Sequence, residues 1–210
     1  MAASSPWPLI HAERVALIAD LRQLAAADWE HASLCPGWTV RDVLGHVTST
    51  ARMTPPAFFA GLAKSGFRFH QMSAANIKQE TAVSPPEQLA GFATLATATS
   101  HPPGPVEAML GEIVVHSADI RRPLGIAHDY PTVALTRAAD FYQKSNLLIG
   151  AKNRVAGLAL RATDADWSSG TGPEVSGPML SLVLAMTGRP VALDDLSGPG
   201  VDLLRTRSGS

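Results

Sequence analysis

Residues 111–122 read GEIVVHSADIRR, a segment that is otherwise apolar or small but carries a glutamate, a histidine and an aspartate before its arginine pair. Glu112, His116 and Asp119 follow one another at spacings of four and three residues, which places them on one face of an α-helix. Acidic side chains are rarely buried unless they are paired or bind a cation. The stretch therefore predicts a helix whose polar face either meets solvent, with Arg121 and Arg122 as partners, or lines a cation site.

A second segment, residues 36–47 with the sequence PGWTVRDVLGHV, adds a candidate ligand. Thr39 and Asp42 have the spacing of a helix N-cap and its capping-box acid, and His46 follows Asp42 by one helical turn. A lone histidine in such a helix is usually a core or boundary residue. Facing helices of a bundle can nevertheless assemble metal ligands, and three protein ligands with open positions are typical of a catalytic metal. His46 is therefore a candidate third ligand beside the first stretch.

The composition excludes several classes of protein. The chain has 210 residues, 46% of them hydrophobic and 17% charged, which is typical of a globular fold with a sizeable core. The net charge of −1 gives no electrostatic reason to expect nucleic acid or an anionic membrane as a partner. No apolar run reaches the length of a membrane span, and the N-terminus does not resemble a signal peptide. The single cysteine, Cys35, excludes an internal disulfide, so we predict a cytoplasmic protein.

The first part of the chain has helical periodicity. Prolines at 54–56 should end or kink the second helix, with one further helical turn through Leu62, and residues 64–84 look irregular. Gly125 is a candidate C-cap for the last helix. The predicted helices are 8–27, 40–53, 84–100 and 106–124.

After Gly125 the pattern changes. Residues 133–149 still look helical, whereas residues 154–170 alternate and predict one or two strands with a turn at Thr163–Asp166. A glycine/proline turn and a short helix that ends at Gly188 follow, and the tail 198–207 could form a last strand. The fold class is therefore mainly α plus α/β, with a four-helix unit at residues 1–127 and a smaller α/β unit at 128–210.

The two quoted motifs together resemble the mycothiol-dependent maleylpyruvate isomerase family. The stretch LRATDADWSSGTGPEVSGPMLSLVLAMTGR, residues 160–189, is similar to the C-terminal domain of that isomerase. The resemblance extends over about residues 8–205. It implies a DinB-like antiparallel four-helix bundle with a metal site, followed by a small α/β domain similar to sterol-carrier folds.

The resemblance also implies roles for individual residues. His46, Glu112 and His116 would be the ligands of zinc or another divalent metal, and Asp119 would orient one of them in the catalytic site. Arg189 would face the site from the C-terminal domain as a catalytic and cofactor-binding residue, holding a carboxylate or a thiolate. The alternative for Arg189 is a surface arginine favoured by the dipole at a helix C-terminus.

The implied activity is that of a mycothiol-dependent isomerase or thiol transferase acting on a small electrophilic organic acid such as maleylpyruvate. Two alternatives stay open: a non-catalytic metal-binding or ligand-binding protein, and a metal-dependent hydrolase that activates water. The expected partners are a small-molecule substrate and a low-molecular-weight thiol, in a monomer or a homodimer. Cys35 has no obvious paired base in the sequence, so we expect it to be inert.

Overall fold

A computed structural model of the protein describes residues 4–147 and 149–208. These residues are mostly helical and include a small three-stranded sheet, which confirms the predicted mainly helical class with a minor β component. The chain forms two compact units, one ending at His128 and the other beginning at Asp129. Within the described ranges, no helix is both long enough and apolar enough to cross a membrane.

The first unit is built from helices around one apolar core. Its helices are α1 (Trp7–Leu21), α2 (Val40–Arg52), α3 (Pro55–Lys64), α4 (Phe69–Glu80), α5 (Pro85–Ala93) and α6 (Val106–Arg121), with a short 3-10 helix at Ala26–Glu30. Helix α1 contacts α5 and α6, and α2 contacts the same two helices. These four helices enclose side chains such as Leu17, Leu44, Phe92 and Leu110, which are fully buried. The finer assignment to a DinB-like bundle stays a prediction.

The N-terminus of α2 is fixed by the predicted capping box. The Thr39 side chain accepts a hydrogen bond from the Asp42 backbone N–H, and the Asp42 carboxylate accepts one from the Thr39 backbone N–H. Two of the backbone donors that helix formation leaves unpaired are satisfied in this way. The box sets where α2 begins, and so it fixes the position of His46 along that helix.

Helix α4 lies in the stretch predicted to be irregular, and that prediction is wrong. Its buried apolar residues, Met72 and Ile77, are five positions apart, so the sequence shows no helical stripe. Packing on α2 supplies the missing stabilisation. Gly45 on α2 permits the close approach, because a Cβ atom there would lie 3.3 Å from side-chain atoms of Thr81 and Gln88.

The chain after α5 also departs from the prediction, since the helix ends at Ala93 and not near Ser100. The buried guanidinium of Arg14 donates to the carbonyls of Leu95 and Ala98, at 3.0 and 2.8 Å. These two bonds satisfy carbonyl groups that a longer helix would use internally.

The break predicted at residues 54–56 is confirmed, because α2 ends at Arg52 and α3 begins at Pro55.

The second unit contains the small sheet. Its elements are α7 (Thr132–Tyr142), α8 (Ala151–Val155), β1 (Ala159–Ala162), β2 (Ser168–Ser169), β3 (Glu174–Gly177), α9 (Met179–Met186) and α10 (Val201–Ser208), with a 3-10 helix at Pro190–Asp195. Strand β1 is central, antiparallel to β2 and parallel to β3. Helix α9 is buried along most of its length and packs against α7 and the sheet.

Three details of the second unit differ from the sequence predictions. The helix predicted over 133–149 ends at Tyr142, and residue 148 lies outside the described residues. Residues 174–177 form strand β3 where a turn was expected, because they pair with β1. The tail forms helix α10 and not a strand: Leu204 is buried, and the acid in its first turn and the arginines in its last turn suit the helix dipole. The isomerase-type and sterol-carrier-like assignments of this unit stay predictions.

Candidate metal centre

Helices α2 and α6 bring the three predicted metal ligands together in the first unit. His46 lies on α2, and Glu112 and His116 lie one turn apart on α6. The distance from His46 Nε2 to Glu112 Oε1 is 3.9 Å, and the ring centroids of His46 and His116 are 4.9 Å apart. The side chains of His46 and Glu112 are 17% and 20% exposed, so small molecules have limited access to them.

Glu112 presents a buried carboxylate oxygen to this cluster. Its Oε1 atom is buried and has no hydrogen-bond partner. Burial raises the pKa of Glu112, and His116, a hydrogen bond with Thr50 and the charge of Arg14 oppose that rise only in part. A buried carboxylate oxygen without a donor is costly in free energy, and a bound cation would remove this cost. The oxygen and the two imidazoles form a donor set that suits zinc and similar divalent metals.

His116 is held by a carboxylate on its own helix. Its Nδ1 lies 2.9 Å from Asp119 Oδ2, one helical turn further along α6. Burial would lower the pKa of His116, but the hydrogen bonds to Asp119 and Cys35 outweigh it and raise the pKa to about 10. Because Nδ1 is engaged by Asp119, Nε2 is the ring nitrogen left to coordinate a metal.

Asp119 is fully buried, and it connects α6 to the segment that precedes α2. The Cys35 thiol donates to Asp119 Oδ2 at 3.1 Å, and the Leu34 backbone N–H donates to the Asp119 carbonyl at 3.1 Å. The contact with His116 gives Asp119 the position that its predicted orienting role requires. That role itself stays a prediction.

The surroundings of Cys35 overturn one expectation from the sequence. Cys35 was expected to have no paired base, but its Sγ lies 3.8 Å from His116 Nδ1 as well as close to Asp119. Among the residues that the structure describes, the sulfur, this nitrogen and a carboxylate oxygen of Asp119 lie within 4.8 Å of one another and could hold a metal, a group that does not include His46 or Glu112. Sequence reasoning missed the contact because no local pattern links position 35 to a helix about 80 residues away.

The cluster does not have the geometry of an activated cysteine nucleophile. In a nucleophile–histidine–acid triad the nucleophile and the acid use opposite nitrogens of the imidazole. Here Cys35 and Asp119 both lie at Nδ1 of His116. One nitrogen cannot donate to the acid and accept the thiol proton at the same time, so the arrangement favours a thiol that donates to the carboxylate.

Two further residues at the site were absent from the predicted set. Ser73 on α4 places its hydroxyl 3.4 Å from His46 Nδ1, which leaves Nε2 of His46 toward Glu112. The centroid of the Trp38 ring lies 5.2 Å from that of the His46 ring and 6.4 Å from that of the His116 ring. Ser73 could not be found from the sequence because its helix was not predicted.

Arg189 belongs to the second unit and follows α9. Its Nη1 donates to the Thr187 carbonyl at 2.8 Å, near the C-terminus of that helix. This contact is the one expected of an arginine that interacts with a helix C-terminus. The predicted catalytic and cofactor-binding role of Arg189 stays a prediction.

The protein belongs to a class of two-unit proteins. The first unit is helical and presents two histidines and a carboxylate from facing helices. Residues 10–101 match the family model described as the mycothiol maleylpyruvate isomerase N-terminal domain. The match confirms the resemblance predicted from the sequence. His46 lies within the matched residues, whereas Glu112, His116 and Arg189 lie beyond them. No curated protein matches the sequence.

Two crystal structures of the mycothiol-dependent maleylpyruvate isomerase are similar to this chain. One, of a variant with a histidine replaced by alanine, has a TM-score of 0.62, 18% sequence identity and coverage of 92% of this chain and 91% of that chain. The other has a TM-score of 0.60 with the same identity and coverage. At this identity the likeness shows a shared fold.

Proposed function

We propose that the protein is a metal-dependent and mycothiol-dependent enzyme that isomerises a small electrophilic organic acid, such as maleylpyruvate, or transfers the thiol to it. One observation carries the proposal: His46 Nε2 and the unpartnered Oε1 of Glu112 lie 3.9 Å apart, beside the ring of His116. The family match and the fold likeness supply the thiol and the substrate class. Isomerase and transferase activity both need an activated thiolate, so the site supports either.

His46, Glu112 and His116 are the residues that would hold the metal. A bound divalent metal lowers the pKa of a coordinated thiol and keeps it as thiolate at neutral pH. Coordinated imidazoles are neutral, so the one carboxylate would give the ligand set a single net negative charge. A divalent cation there would keep a net positive charge, which favours an anionic thiol and an acidic substrate.

The neighbouring residues keep the two imidazoles in the correct orientation. Asp119 accepts from Nδ1 of His116 at 2.9 Å, and Ser73 lies 3.4 Å from Nδ1 of His46. In both histidines Nε2 is therefore the nitrogen that faces the cluster. The Trp38 ring lies close to both imidazoles and limits the access of water to them.

The test uses purified full-length protein loaded with Zn²⁺, with maleylpyruvate as substrate and mycothiol as thiol. We expect cis–trans isomerisation that requires both the metal and the thiol, and we expect the thiol to be recovered unchanged. Steady consumption of the thiol would identify a transferase. Turnover that needs the metal but no thiol would contradict the proposal and favour hydrolysis. A His116→Ala variant that kept both its metal and its activity would also contradict it.

A further inference from the structure

We propose that Cys35 is a positioning residue: its thiol holds the Asp119 carboxylate in the orientation that fixes His116 with Nε2 toward His46 and Glu112. The inference rests on the proposed function, because it assigns a role at the same metal site. It gives a function to a residue for which the sequence predicted none.

Two contacts tie the segment before α2 to Asp119. The Cys35 thiol donates to Oδ2 at 3.1 Å, and the Leu34 backbone N–H donates to the Asp119 carbonyl at 3.1 Å. The same Oδ2 atom accepts from His116 Nδ1 at 2.9 Å. The thiol and the imidazole therefore share one acceptor, and a rotation of the carboxylate would break both hydrogen bonds.

The burial of this group makes the thiol contact energetically important. Asp119 is 0% exposed and Cys35 is 9% exposed, so water has little access to replace a lost donor. A buried carboxylate needs donors to offset the loss of its hydration. A thiol is a weak donor of small size, and it fills this position without adding a second positive charge beside His116.

The consequence for the metal site follows from the two nitrogens of His116. When Oδ2 is held against Nδ1, that nitrogen keeps its proton, so Nε2 is the nitrogen that gives up its proton when a metal binds. When the carboxylate is free to rotate, this preference weakens. Loss of an outer hydrogen-bond partner typically lowers metal affinity by about 10–100-fold.

The competing role for Cys35 is that of a direct ligand, because its sulfur lies with His116 Nδ1 and Asp119 in a possible metal group. A metal at that position would need the thiolate and the lone pair of Nδ1. It would therefore displace the hydrogen bond from His116 to Asp119, which is 2.9 Å long in the structure. The positioning role keeps this hydrogen bond and is the one we adopt.

The experiment compares Cys35→Ser, which keeps a donor, with Cys35→Val, which fills space and has no donor. Zn²⁺ affinity is measured on full-length protein by competition with a chromophoric chelator. We expect Cys35→Ser to bind within about threefold of the wild type and Cys35→Val to bind at least about tenfold more weakly, the lower end for a lost outer partner. Wild-type affinity in Cys35→Val would overturn the inference, because packing alone would then suffice.

Cobalt substitution separates positioning from direct ligation. We expect Co²⁺-loaded wild type to show d–d bands without the near-ultraviolet sulfur-to-cobalt charge-transfer band of a thiolate complex. Such a band, lost in Cys35→Ser, would overturn the inference in favour of a sulfur ligand.

An NMR measurement on the metal-free protein tests the positioning role of Cys35 independently of the proposed function. In metal-free protein we expect the Nδ1 proton of His116 to give a low-field NMR signal in wild type and Cys35→Ser, and to exchange rapidly with water in Cys35→Val. This result would support the positioning role even if the wild type bound no metal, in which case only the proposed function would fail. A persistent signal in Cys35→Val would overturn the positioning role even if metal binding were normal.

Discussion

His46 Nε2 and Glu112 Oε1 lie 3.9 Å apart, on two different helices, with no hydrogen bond to Glu112 Oε1. The distance is too long for a hydrogen bond, but one zinc ion at about 2.0–2.2 Å from each atom would bridge them. Two ligands of a tetrahedral zinc ion lie about 3.3–3.6 Å apart, so a bound ion would draw this pair together by a few tenths of an ångström.

Glu112→Gln should remove most of the Zn²⁺ affinity. The substitution takes away the only anionic member of the predicted ligand set, so we expect Zn²⁺ affinity to fall by more than about 100-fold. Loss of a residue that only hydrogen-bonds to a ligand typically lowers metal affinity by about 10–100-fold. The metal-free variant should be no less stable than the wild type, because burial raises the pKa of Glu112 and its charge is unfavourable there. Calorimetric titration with Zn²⁺ and chemical denaturation measure the two effects.

Glu107→Gln is the matched control, since Glu107 lies in the first turn of the same helix. It should leave Zn²⁺ affinity within about threefold of the wild type, because Glu107 lies five residues before Glu112 and does not share its helix face. Equal losses in the two variants would mean that overall charge, and not coordination by Glu112, determines binding.

Ser73→Ala should weaken Zn²⁺ binding without disrupting the fold. Its hydroxyl lies 3.4 Å from His46 Nδ1, and loss of this partner frees the imidazole to rotate. We expect Zn²⁺ affinity to fall by about tenfold. This is the lower limit of the effect usual for a residue that hydrogen-bonds to a metal ligand, and we expect it because the contact is long. Ser49→Ala is the control, because Ser49 donates to the His46 backbone carbonyl at 2.8 Å and does not touch the ring. A comparable loss in Ser49→Ala would show that helix α2 and not the ring is affected.

The raised pKa of His116 predicts how the stability of the metal-free protein depends on pH. The pKa is about 10 in the folded protein against 6.5 for a free histidine, so the folded state binds the proton more tightly. The resulting stabilisation is fully present below about pH 6.5 and is lost as the pH rises through about 10. Denaturation of wild type and His116→Gln in EDTA should therefore give curves that converge as the pH rises. A difference that grows with pH would contradict the raised pKa.

Arg189→Ala tests the predicted role of the second unit. If Arg189 holds a carboxylate or thiolate, turnover should fall at least about tenfold, equivalent to about 1.4 kcal/mol of transition-state stabilisation, with normal zinc content. Arg205→Ala is the control, because Arg205 forms an exposed pair with Asp194 in the same unit. Unchanged turnover with a lower melting temperature in Arg189→Ala would assign Arg189 to the helix end at Thr187 instead.

Local sequence patterns predicted the elements that hold the proposed ligands. The capping box at Thr39 and Asp42 predicted the start of α2, and the spacing of Glu112 and His116 predicted that they share a face of α6. These features depend on residues within one or two helical turns of each other. The mainly helical class followed from the same periodicity.

Features that depend on packing could not be predicted in this way. Helix α4 has buried residues at Met72 and Ile77 without a helical stripe, and its stability comes from α2. The contact between Cys35 and Asp119 joins residues about 80 positions apart, and no local pattern reports it. The contact of Ser73 with His46 depends on α4 and was missed for the same reason.

The location of zinc in crystals of the metal-loaded protein tests the central claim most directly. Anomalous diffraction at the zinc edge should show one peak within about 2.0–2.2 Å of His46 Nε2, a Glu112 carboxylate oxygen and His116 Nε2. A peak about 2.3 Å from the Cys35 sulfur, between His116 Nδ1 and Asp119, would contradict the account, and so would a fully loaded protein with no peak at His46 and Glu112.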